Sequence, residues 1–205
     1  MTPLKGLTLA IQAGGASTRM GQNKALLPFP RRPLIQWILE RLSPIAEAVL
    51  ITTNQPEMFA FLETPCYPDD FPGYGALGGL LTALTHARTP LVAVVACDMP
   101  FASPELFQTA WSLLQQHPDA AAVVPRTQYG WEPFHAVYRR EVCLPSLRQA
   151  IQVGERKVVR WLEAVAPIPL PVEKGAMAFW NVNTPEDYRQ ALTYLKLREK
   201  GGRPP

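Results

Sequence analysis

Six residues near the N-terminus, Leu7 to Gln12, form an almost uninterrupted run of apolar and β-compatible side chains that ends at Ala13-Gly14-Gly15. Such a run is typical of a strand that is buried on both faces. Because glycine lacks a Cβ, the backbone after this run can reach positive φ, and its N–H groups can approach a phosphate closely. The sequence therefore predicts a buried strand that leads into a glycine loop.

The residues after the glycines suit a polyanion, since they include two hydroxyl side chains and the cations Arg19 and Lys24. The spacing is not that of a Walker A loop, because Gly21 is followed by Gln22, and no G-x-G-x-x-G fingerprint is present. Two interpretations stay open on these grounds. One is a phosphate-binding loop, and the other is a tight strand-to-helix turn with solvated charges.

Apolar runs alternate with helical patterns over the first two thirds of the chain, which predicts a three-layer α/β/α, Rossmann-like domain with a mostly parallel sheet. The segment from Tyr67 to Gly79 is rich in glycine and proline and predicts an irregular loop. Further strands are predicted at 47–54, 91–96, 120–124, 134–138 and 177–182, and helices at 33–42, 56–62, 80–87, 104–116, 140–151, 155–166 and from 185 onward.

Length and composition narrow the class of protein. The 205 residues carry 20 Lys and Arg against 17 Asp and Glu, a net charge of +3 that gives little reason to expect nucleic-acid binding. The three cysteines are widely spaced and indicate reduced thiols without a disulfide framework. No signal peptide and no membrane-spanning run is visible, so we expect a cytoplasmic protein with no membrane contact.

Asp98 directly follows the most hydrophobic run of the chain, Leu91 to Ala96. A carboxylate at the end of a buried strand is costly to desolvate unless it is paired or binds a cation, and a phosphate pocket would hold Mg²⁺. The alternative is an aspartate that caps the turn after it. Tyr129 and Trp131 lie in a loop where they can stack on a planar ligand, although core packing is favoured for both.

Four segments in chain order resemble the motifs of one family, the molybdenum cofactor guanylyltransferases of the MobA type, within the wider nucleotidyltransferase superfamily. The first segment is similar to the family's signature loop, the second to its second loop, the third to its metal-aspartate motif and the last to its C-terminal motif. They are AGGASTRMGQNK at 13–24, DDFPGYGALGG at 69–79, CDMPF at 97–101 and NVNTPE at 181–186.

The resemblance implies transfer of GMP from GTP to the terminal phosphate of molybdenum-bearing molybdopterin, with Mg²⁺ as cofactor. It implies that Asp98 binds the metal, that Lys24 and Arg19 act on phosphates, and that Arg156 is a further anion contact. Asn181 and Asn183 match positions near the pterin. The implied nucleotide contacts are Gln12, Ala13, Gly14, Gly15, Lys24, Asn54, Asp69 and Asp98.

On this basis we expect one domain over residues 1–200, with a nucleotide part at about 1–125, a pterin-substrate part at about 126–200 and a disordered end at 201–205. A molybdoenzyme or a chaperone is a further candidate partner. Gln12 stands where the family commonly has Leu, and Ala76 where it commonly has Pro. Because Asp69 is followed at once by Asp70, either of the two acids can be the one that contacts the nucleotide.

Three other functions are kept as alternatives. The first is a molybdopterin cytidylyltransferase, and the second is another sugar-phosphate nucleotidyltransferase. The paired Gly14-Gly15 and the loop at 75–79 favour the guanylyl branch, because the cytidylyl relatives commonly carry Ala-Ala-Gly in the first loop. The third is a non-catalytic carrier of the nucleotide or cofactor, which metal-dependent release of pyrophosphate would exclude.

Overall fold

One sheet of eight strands runs through the part of the chain that the computed structural model describes, residues 2–14, 23–173 and 176–199. Its strand order is β3-β2-β1-β4-β7-β5-β6, and β8 pairs with β5. The strands are β1 (Leu7–Gln12), β2 (Ala48–Thr52), β3 (Cys66–Tyr67), β4 (Leu91–Ala96), β5 (Ala122–Thr127), β6 (Gly130–Trp131), β7 (His135–Arg139) and β8 (Ile168–Pro171).

The sheet is mixed but mostly parallel, as the sequence predicts. Among the described strands, four of the seven pairings are parallel, and β1 lies between two parallel neighbours, β2 and β4. β7 runs antiparallel to both β4 and β5. Strands β4 and β5 therefore point the same way, and the carboxyl ends of β1, β2, β4 and β5 meet at one edge of the sheet.

Helices cover both faces of this sheet and complete three layers. A layer containing α1, α3 and α6 packs on one face, and a layer containing α2, α4 and α5 packs on the other. The helices are α1 (Leu34–Leu42), α2 (Gly75–His86), α3 (Pro104–Gln116), α4 (Arg140–Gln152), α5 (Val158–Ala164) and α6 (Pro185–Glu199), with 3-10 turns at Lys24–Leu26, Ser43–Ile45, Pro56–Leu62 and Met177–Phe179.

The alternation of side chains along β1 shows how the sequence produces the two cores. Leu9 and Ile11 are fully buried with the α1 and α3 layer, whereas Ala10 between them is buried with the α2 and α4 layer. Successive side chains of a strand point to opposite faces, so a strand covered on both sides needs apolar residues at every position. This requirement explains the unbroken apolar runs of β1 and β4.

Two predicted elements are wrong. The segment Tyr67 to Gly79 is not irregular throughout, because α2 begins at Gly75 and its first five residues are ones that the prediction left in the loop. The glycines there permit close packing within a helix. A Cβ at Gly78 would lie 3.0 Å from the carbonyl oxygen of Phe71, and one at Gly79 would lie 2.2 Å from Nε2 of Gln12.

The predicted strand at 177–182 is a 3-10 turn, Met177–Phe179, followed by an extended segment outside the sheet. The late strand lies earlier, at β8, where two prolines hid the pattern. Proline lacks an N–H group, and for this reason a run containing it is discounted as a strand. The segment after Phe179 instead uses its backbone to contact the loop that carries Asp98.

The last helix begins as its sequence predicts. Asp187 accepts hydrogen bonds from the backbone N–H groups of Asn183 and Thr184, and its own N–H donates to the Thr184 hydroxyl at 3.1 Å. This reciprocal arrangement is a capping box. No helix within the described ranges is long and apolar enough to cross a bilayer.

Candidate active site

The glycine loop and Asp98 follow two neighbouring strands, as the sequence predicts. β1 and β4 pair in parallel from Leu7 with Leu91 to Gln12 with Ala96. Beyond the strands, the Cys97 N–H donates to the Gln12 carbonyl at 3.0 Å, and the Ala13 N–H donates to the Thr52 carbonyl at 2.8 Å. Ligands of open α/β sheets bind outside the carboxyl ends of the strands, so this edge is the place to look for a site.

A cavity of about 830 Å³ opens at this edge, beside β1, β2 and β3. We call it the glycine-lined cavity, because three of its walls are the glycines of the two predicted loops. Glycine leaves the backbone amides accessible, and backbone amides can bind anions and base edges without side chains. Its described lining residues are Ala13, Gly14, Asn23, Thr53, Asn54, Gln55, Asp69, Gly73, Gly75 and Ala76.

Asn54 fixes Asp69 in the wall of this cavity. Its Nδ2 donates to Oδ2 of Asp69 at 3.1 Å, and its Oδ1 accepts from the Asp69 backbone N–H at 2.9 Å. Asp70 points away, since its carboxylate lies 3.2 Å from Nε2 of His86 and its N–H donates to the hydroxyl of Thr82. Of the two loop acids, Asp69 is therefore the one that lines the cavity.

Lys24 joins the predicted nucleotide residues to the predicted pterin residues. Its Nζ lies 3.7 Å from Oδ2 of Asp98 and donates to Oδ1 of Asn183 at 2.7 Å. Asn23 caps the 3-10 turn that carries Lys24, because its side chain accepts from the backbone N–H of Ala25. A cation held by a carboxylate and an amide is positioned to meet phosphate oxygens in the space between them.

The C-terminal motif is held directly against the Asp98 loop. The Val182 N–H donates to the Asp98 carbonyl at 2.8 Å, and Nδ2 of Asn181 donates to the Phe179 carbonyl at 2.9 Å. Tyr188 on α6 donates its hydroxyl to the Pro28 carbonyl, which ties this helix to the turn after Lys24. Residues more than 150 positions apart in the sequence are thus brought to one point.

Asp98 and Asp69 share an electrostatic feature that suits a cation. Burial raises the pKa of both carboxyls, and the charge of Lys24 partly opposes this for Asp98. Oδ1 of each is buried and has no hydrogen-bond partner among the described residues. Buried acceptors without partners are costly, and a hard cation with oxygen ligands would satisfy them. These two oxygens therefore fit Mg²⁺.

The described residues contain no cluster of three or more His, Cys, Asp or Glu side chains that would enclose a metal. Proteins commonly bind Mg²⁺ for phosphate chemistry through one or two carboxylates together with the phosphates of the substrate. The donor set present thus fits a metal that arrives with a nucleotide.

Gln12 supports the cavity from below through its side chain. Its Nε2 donates to the Ala76 carbonyl at 2.9 Å, which joins the end of β1 to the first turn of α2. The side chain is buried, and its Oε1 has no partner among the described residues. The family resemblance marks Gln12 as a departure from the common pattern. Only the structure shows that the missing Cβ of Gly79 leaves space for the Gln12 side chain.

Several predicted site residues remain to be placed. Gly15 and Arg19 lie outside the described residues, so their predicted roles stay predictions. Arg156 borders the second loop, where its guanidinium donates to the Gly73 carbonyl at 3.3 Å and lies 5.3 Å from the ring centre of Tyr74. It therefore stands next to a residue of the cavity wall.

Sequence reasoning missed Asn23, Thr53 and Gln55 as wall residues of the glycine-lined cavity. Two of them flank Asn54 at the carboxyl end of β2, and that position was the available signal. The preference for core packing was wrong for Tyr129, whose side chain is 89% exposed at the tip of the hairpin between β5 and β6.

Residues 9–166, more than half of the chain, match the model of the MobA-like NTP transferase domain. The chain belongs to this family. The match includes the glycine loop, both loop acids and Asp98, and it ends before the C-terminal motif.

Curated relatives extend the similarity to the rest of the chain. A protein of Carboxydothermus hydrogenoformans named probable molybdenum cofactor guanylyltransferase is 34% identical over 203 residues, which cover 96% of this chain and all of the relative. One of the same name from Nostoc sp. is 35% identical over 189 residues, covering 90% of this chain and 89% of the relative. This chain is therefore matched by its relatives along nearly its full length.

A solved structure supports the fold. The molybdopterin-guanine dinucleotide biosynthesis protein A of Archaeoglobus fulgidus superimposes with a TM-score of 0.79 at 28% identity, and covers 92% of this chain and 98% of its own. Its similarity extends through both halves of the sheet. The predicted three-layer nucleotidyltransferase fold is confirmed.

Proposed function

We propose that this protein transfers GMP from GTP to the terminal phosphate of molybdenum-bearing molybdopterin, giving the guanine dinucleotide form of the cofactor and pyrophosphate. The observation that carries the proposal is the position of Lys24, between Asp98 and Asn183 and next to a glycine-lined cavity. Relatives with the guanylyltransferase name over nearly the whole chain support the choice of substrates.

The reaction joins two phosphates. An oxygen of the acceptor phosphate attacks the α-phosphorus of GTP and forms a new P–O bond, while the bond to the β-phosphate breaks and pyrophosphate leaves with the electron pair. No protein nucleophile is needed. The protein supplies alignment of two phosphates and cations against the charge that develops, and both are large terms in phosphoryl transfer.

The chain's own residues divide this work. Backbone groups of Gln12, Ala13 and Gly14 read the guanine, and Asn54 holds Asp69 against the nucleotide. Lys24 neutralises phosphate charge at the point where donor and acceptor meet, and Asn183 orients its ammonium group. Asn181 holds the acceptor side of the site through the Phe179 carbonyl.

Asp98 would hold Mg²⁺ through the carboxylate oxygen that lacks a partner among the described residues. When bound, the metal supplies Lewis-acid polarisation of the phosphate and neutralises charge on the leaving pyrophosphate. Arg19 is proposed to add a second cation to the same region. Because GTP is a cytoplasmic nucleotide, we place the reaction in the cytoplasm.

The test is a reaction with molybdenum-bearing molybdopterin, Mg²⁺ and either GTP or CTP, in which pyrophosphate and the dinucleotide product are both measured. We expect turnover with GTP and none without the metal. Turnover with CTP alone would move the protein to cytidylyl transfer. Binding of GTP without pyrophosphate release would leave a carrier, and the proposal would be wrong.

A further inference from the structure

A second cavity, of about 280 Å³, lies at the same edge of the sheet. Its walls come from the β5–β6 hairpin, from the chain after β8 and from the 3-10 turn Met177–Phe179 with Trp180. In strand order, Asp98 after β4 lies between this cavity and the glycine-lined one. We call it the aromatic cavity, since Tyr129, Phe179 and Trp180 form three of its walls.

The described walls of the aromatic cavity offer aromatic faces and hydrogen-bond acceptors. Among the described residues that line it, the charged side chains are the carboxylates of Glu132 and Glu173, and no lysine or arginine is present. A flat ring with N–H groups would find aromatic faces and acceptors there. Both substrates of the proposed reaction carry phosphates. Lys24, which lies outside the aromatic cavity, supplies a cation for them.

Glu132 is the acceptor that the fold holds in place. It is half-buried, and its Oε1 accepts a hydrogen bond from the Thr127 hydroxyl at 3.2 Å. Its backbone N–H donates to the Pro125 carbonyl at 3.0 Å, which fixes it in the hairpin. Burial raises the pKa of this carboxyl, with the Thr127 hydrogen bond opposing, so ligand N–H donors would stabilise a carboxylate that water solvates poorly.

The aromatic walls are also fixed from behind. The Phe179 ring packs edge-on against His135 with centroids 5.3 Å apart, and His135 itself is buried in β7. Tyr129, by contrast, stands exposed at the hairpin tip. The wall at Phe179 is therefore packed against the core, and the wall at Tyr129 is open to solvent. A planar ligand can enter on the open side and stack on an aromatic ring.

The aromatic cavity is connected to the reacting centre by a very short stretch of chain. Trp180 lies two residues before Val182, whose N–H donates to the Asp98 carbonyl at 2.8 Å. Two residues of extended chain span about 7 Å at most. A ligand with its ring in this cavity can thus place a phosphate on a short arm near Lys24.

We propose that the aromatic cavity binds the pterin ring of the acceptor substrate and that Glu132 recognises the N–H edge of this ring. A pterin carries a 2-amino-4-oxopyrimidine ring, whose amino group and neighbouring ring N–H lie side by side and can both donate to one carboxylate. The inference rests on the proposed function for the identity of the acceptor, and it adds the residues that select it.

Binding of 6-hydroxymethylpterin, followed by its own fluorescence, tests this site apart from catalysis. The titration uses the full chain with a saturating GTP analogue that has a methylene between the α- and β-phosphates, because guanine presents the same N–H edge and its cavity must be filled. We expect Glu132→Gln to weaken pterin binding roughly tenfold to a hundredfold, the loss typical of a charged acceptor. The matched control is Glu163→Gln, an exposed carboxylate on α5, which should bind as the parent does.

Tyr129→Ala is a second variant that should fold as the parent does, because the Tyr129 side chain is exposed and its removal leaves the core intact. It should weaken pterin binding by several-fold, in the range of an aromatic stacking contact. In the full reaction, both variants should raise the KM for the acceptor and leave the KM for GTP unchanged. Parent-like pterin affinity in both variants would overturn the assignment, as would displacement of pterin by the GTP analogue.

The experiment separates this inference from the proposed function. Guanylyl transfer by a protein that does not bind the pterin probe would remove the aromatic cavity from the site and leave the reaction standing. Pterin binding that depends on Glu132, without pyrophosphate release from any nucleotide, would support the cavity and contradict the proposed reaction.

Discussion

The two cavities on either side of Asp98 are lined by different kinds of residue. The glycine-lined cavity is large, about 830 Å³, and Asp69 is the charged side chain among its described walls. The aromatic cavity is smaller, about 280 Å³, and is formed by rings and two carboxylates. The first combines glycine backbone with polar side chains, and the second combines aromatic rings with carboxylates, which indicates two different ways of recognising a heterocycle.

The difference follows from the strands that carry each cavity. β1, β2 and β3 are parallel, so their loops leave the same edge and bring backbone amides together. β5 instead turns back through a hairpin to β6 and β7, and this hairpin carries Tyr129 and Glu132 outward. Side chains on a hairpin can change without disturbing the sheet, whereas loops packed on glycine cannot.

Asp98→Asn should have the largest effect, because Asp98 follows β4, between the two cavities in strand order, and is the proposed metal ligand. We expect turnover to fall about a thousandfold, equivalent to about 4 kcal/mol of transition-state stabilisation, while the fold is kept. Affinity for the pterin probe should change little. Single-turnover transfer measures the loss, with Asp119→Asn in an exposed loop as control, and a near-normal rate would remove Asp98 from catalysis.

His135 makes the aromatic side of the molecule sensitive to acid. It is buried, its ring stacks on Phe107 at 4.2 Å between centroids, and its Nε2 accepts from the Ser103 N–H at 2.9 Å. Burial lowers its pKa to about 4 from 6.5, so the folded protein keeps it neutral. Its contribution to stability is complete above pH 6.5 and is lost as the pH falls toward 4, because only the unfolded chain takes up the proton in that window.

Between pH 7 and pH 4.5 the loss should reach about 2 kcal/mol in the free energy of unfolding, measured with urea at both pH values. His135→Gln should flatten this dependence, since an amide can accept from Ser103 without titrating. Asp98 and Asp69 have raised pKa values, so their contribution to the free energy of unfolding grows as the pH falls. This contribution is the same in the parent and in His135→Gln, and it cancels when the two pH dependences are subtracted. Equal pH dependence in parent and variant would show that His135 is not the group responsible.

Gly79→Ala tests how closely the glycine-lined side is packed. The new Cβ would lie 2.2 Å from Nε2 of Gln12, so the amide must leave the Ala76 carbonyl. We expect a destabilisation of about 2 kcal/mol and a higher KM for GTP. In a Gln12→Ala background the clash is absent, and the same substitution should stabilise the helix by about 1 kcal/mol. Chemical denaturation of the parent, the two single variants and the double variant measures the effect of Gly79→Ala on the free energy of unfolding in each background. The same effect in both backgrounds would contradict the prediction.

The sequence predicts the long strands better than the short or proline-containing ones, and the reason is physical. β1 and β4 are covered on both faces and read as unbroken apolar runs, whose ends give Gly14 and Asp98 directly. β3 and β6 are two residues long, and β8 contains two prolines, so none of them has a pattern to detect. Their pairing is fixed by tertiary contacts.

The same distinction holds for the site. Motif order identifies Lys24, Asp69 and Asn183 as candidates, but only the fold shows that Lys24 reaches Asn183 at 2.7 Å across 159 positions. The aromatic cavity could not be found from sequence, because Glu132 and Trp180 lie on separate segments without a shared spacing. A site assembled by a hairpin and a late turn leaves no local pattern.

Asn54→Ala should give the smallest effect and sharpens the contrast between the two cavities. The variant loses both hydrogen bonds that hold Asp69, at 3.1 and 2.9 Å, in a partly exposed place. We expect the KM for GTP to rise about fivefold, equivalent to about 1 kcal/mol, because Asp69 can still reach the nucleotide but is no longer fixed. The KM for the acceptor should not change, since its ring is placed in the other cavity.

Steady-state kinetics with each substrate varied in turn separate the two constants, with Gln108→Ala on the exposed face of α3 as control. A parallel rise in both constants would mean that the two cavities are coupled and that the division between them is wrong.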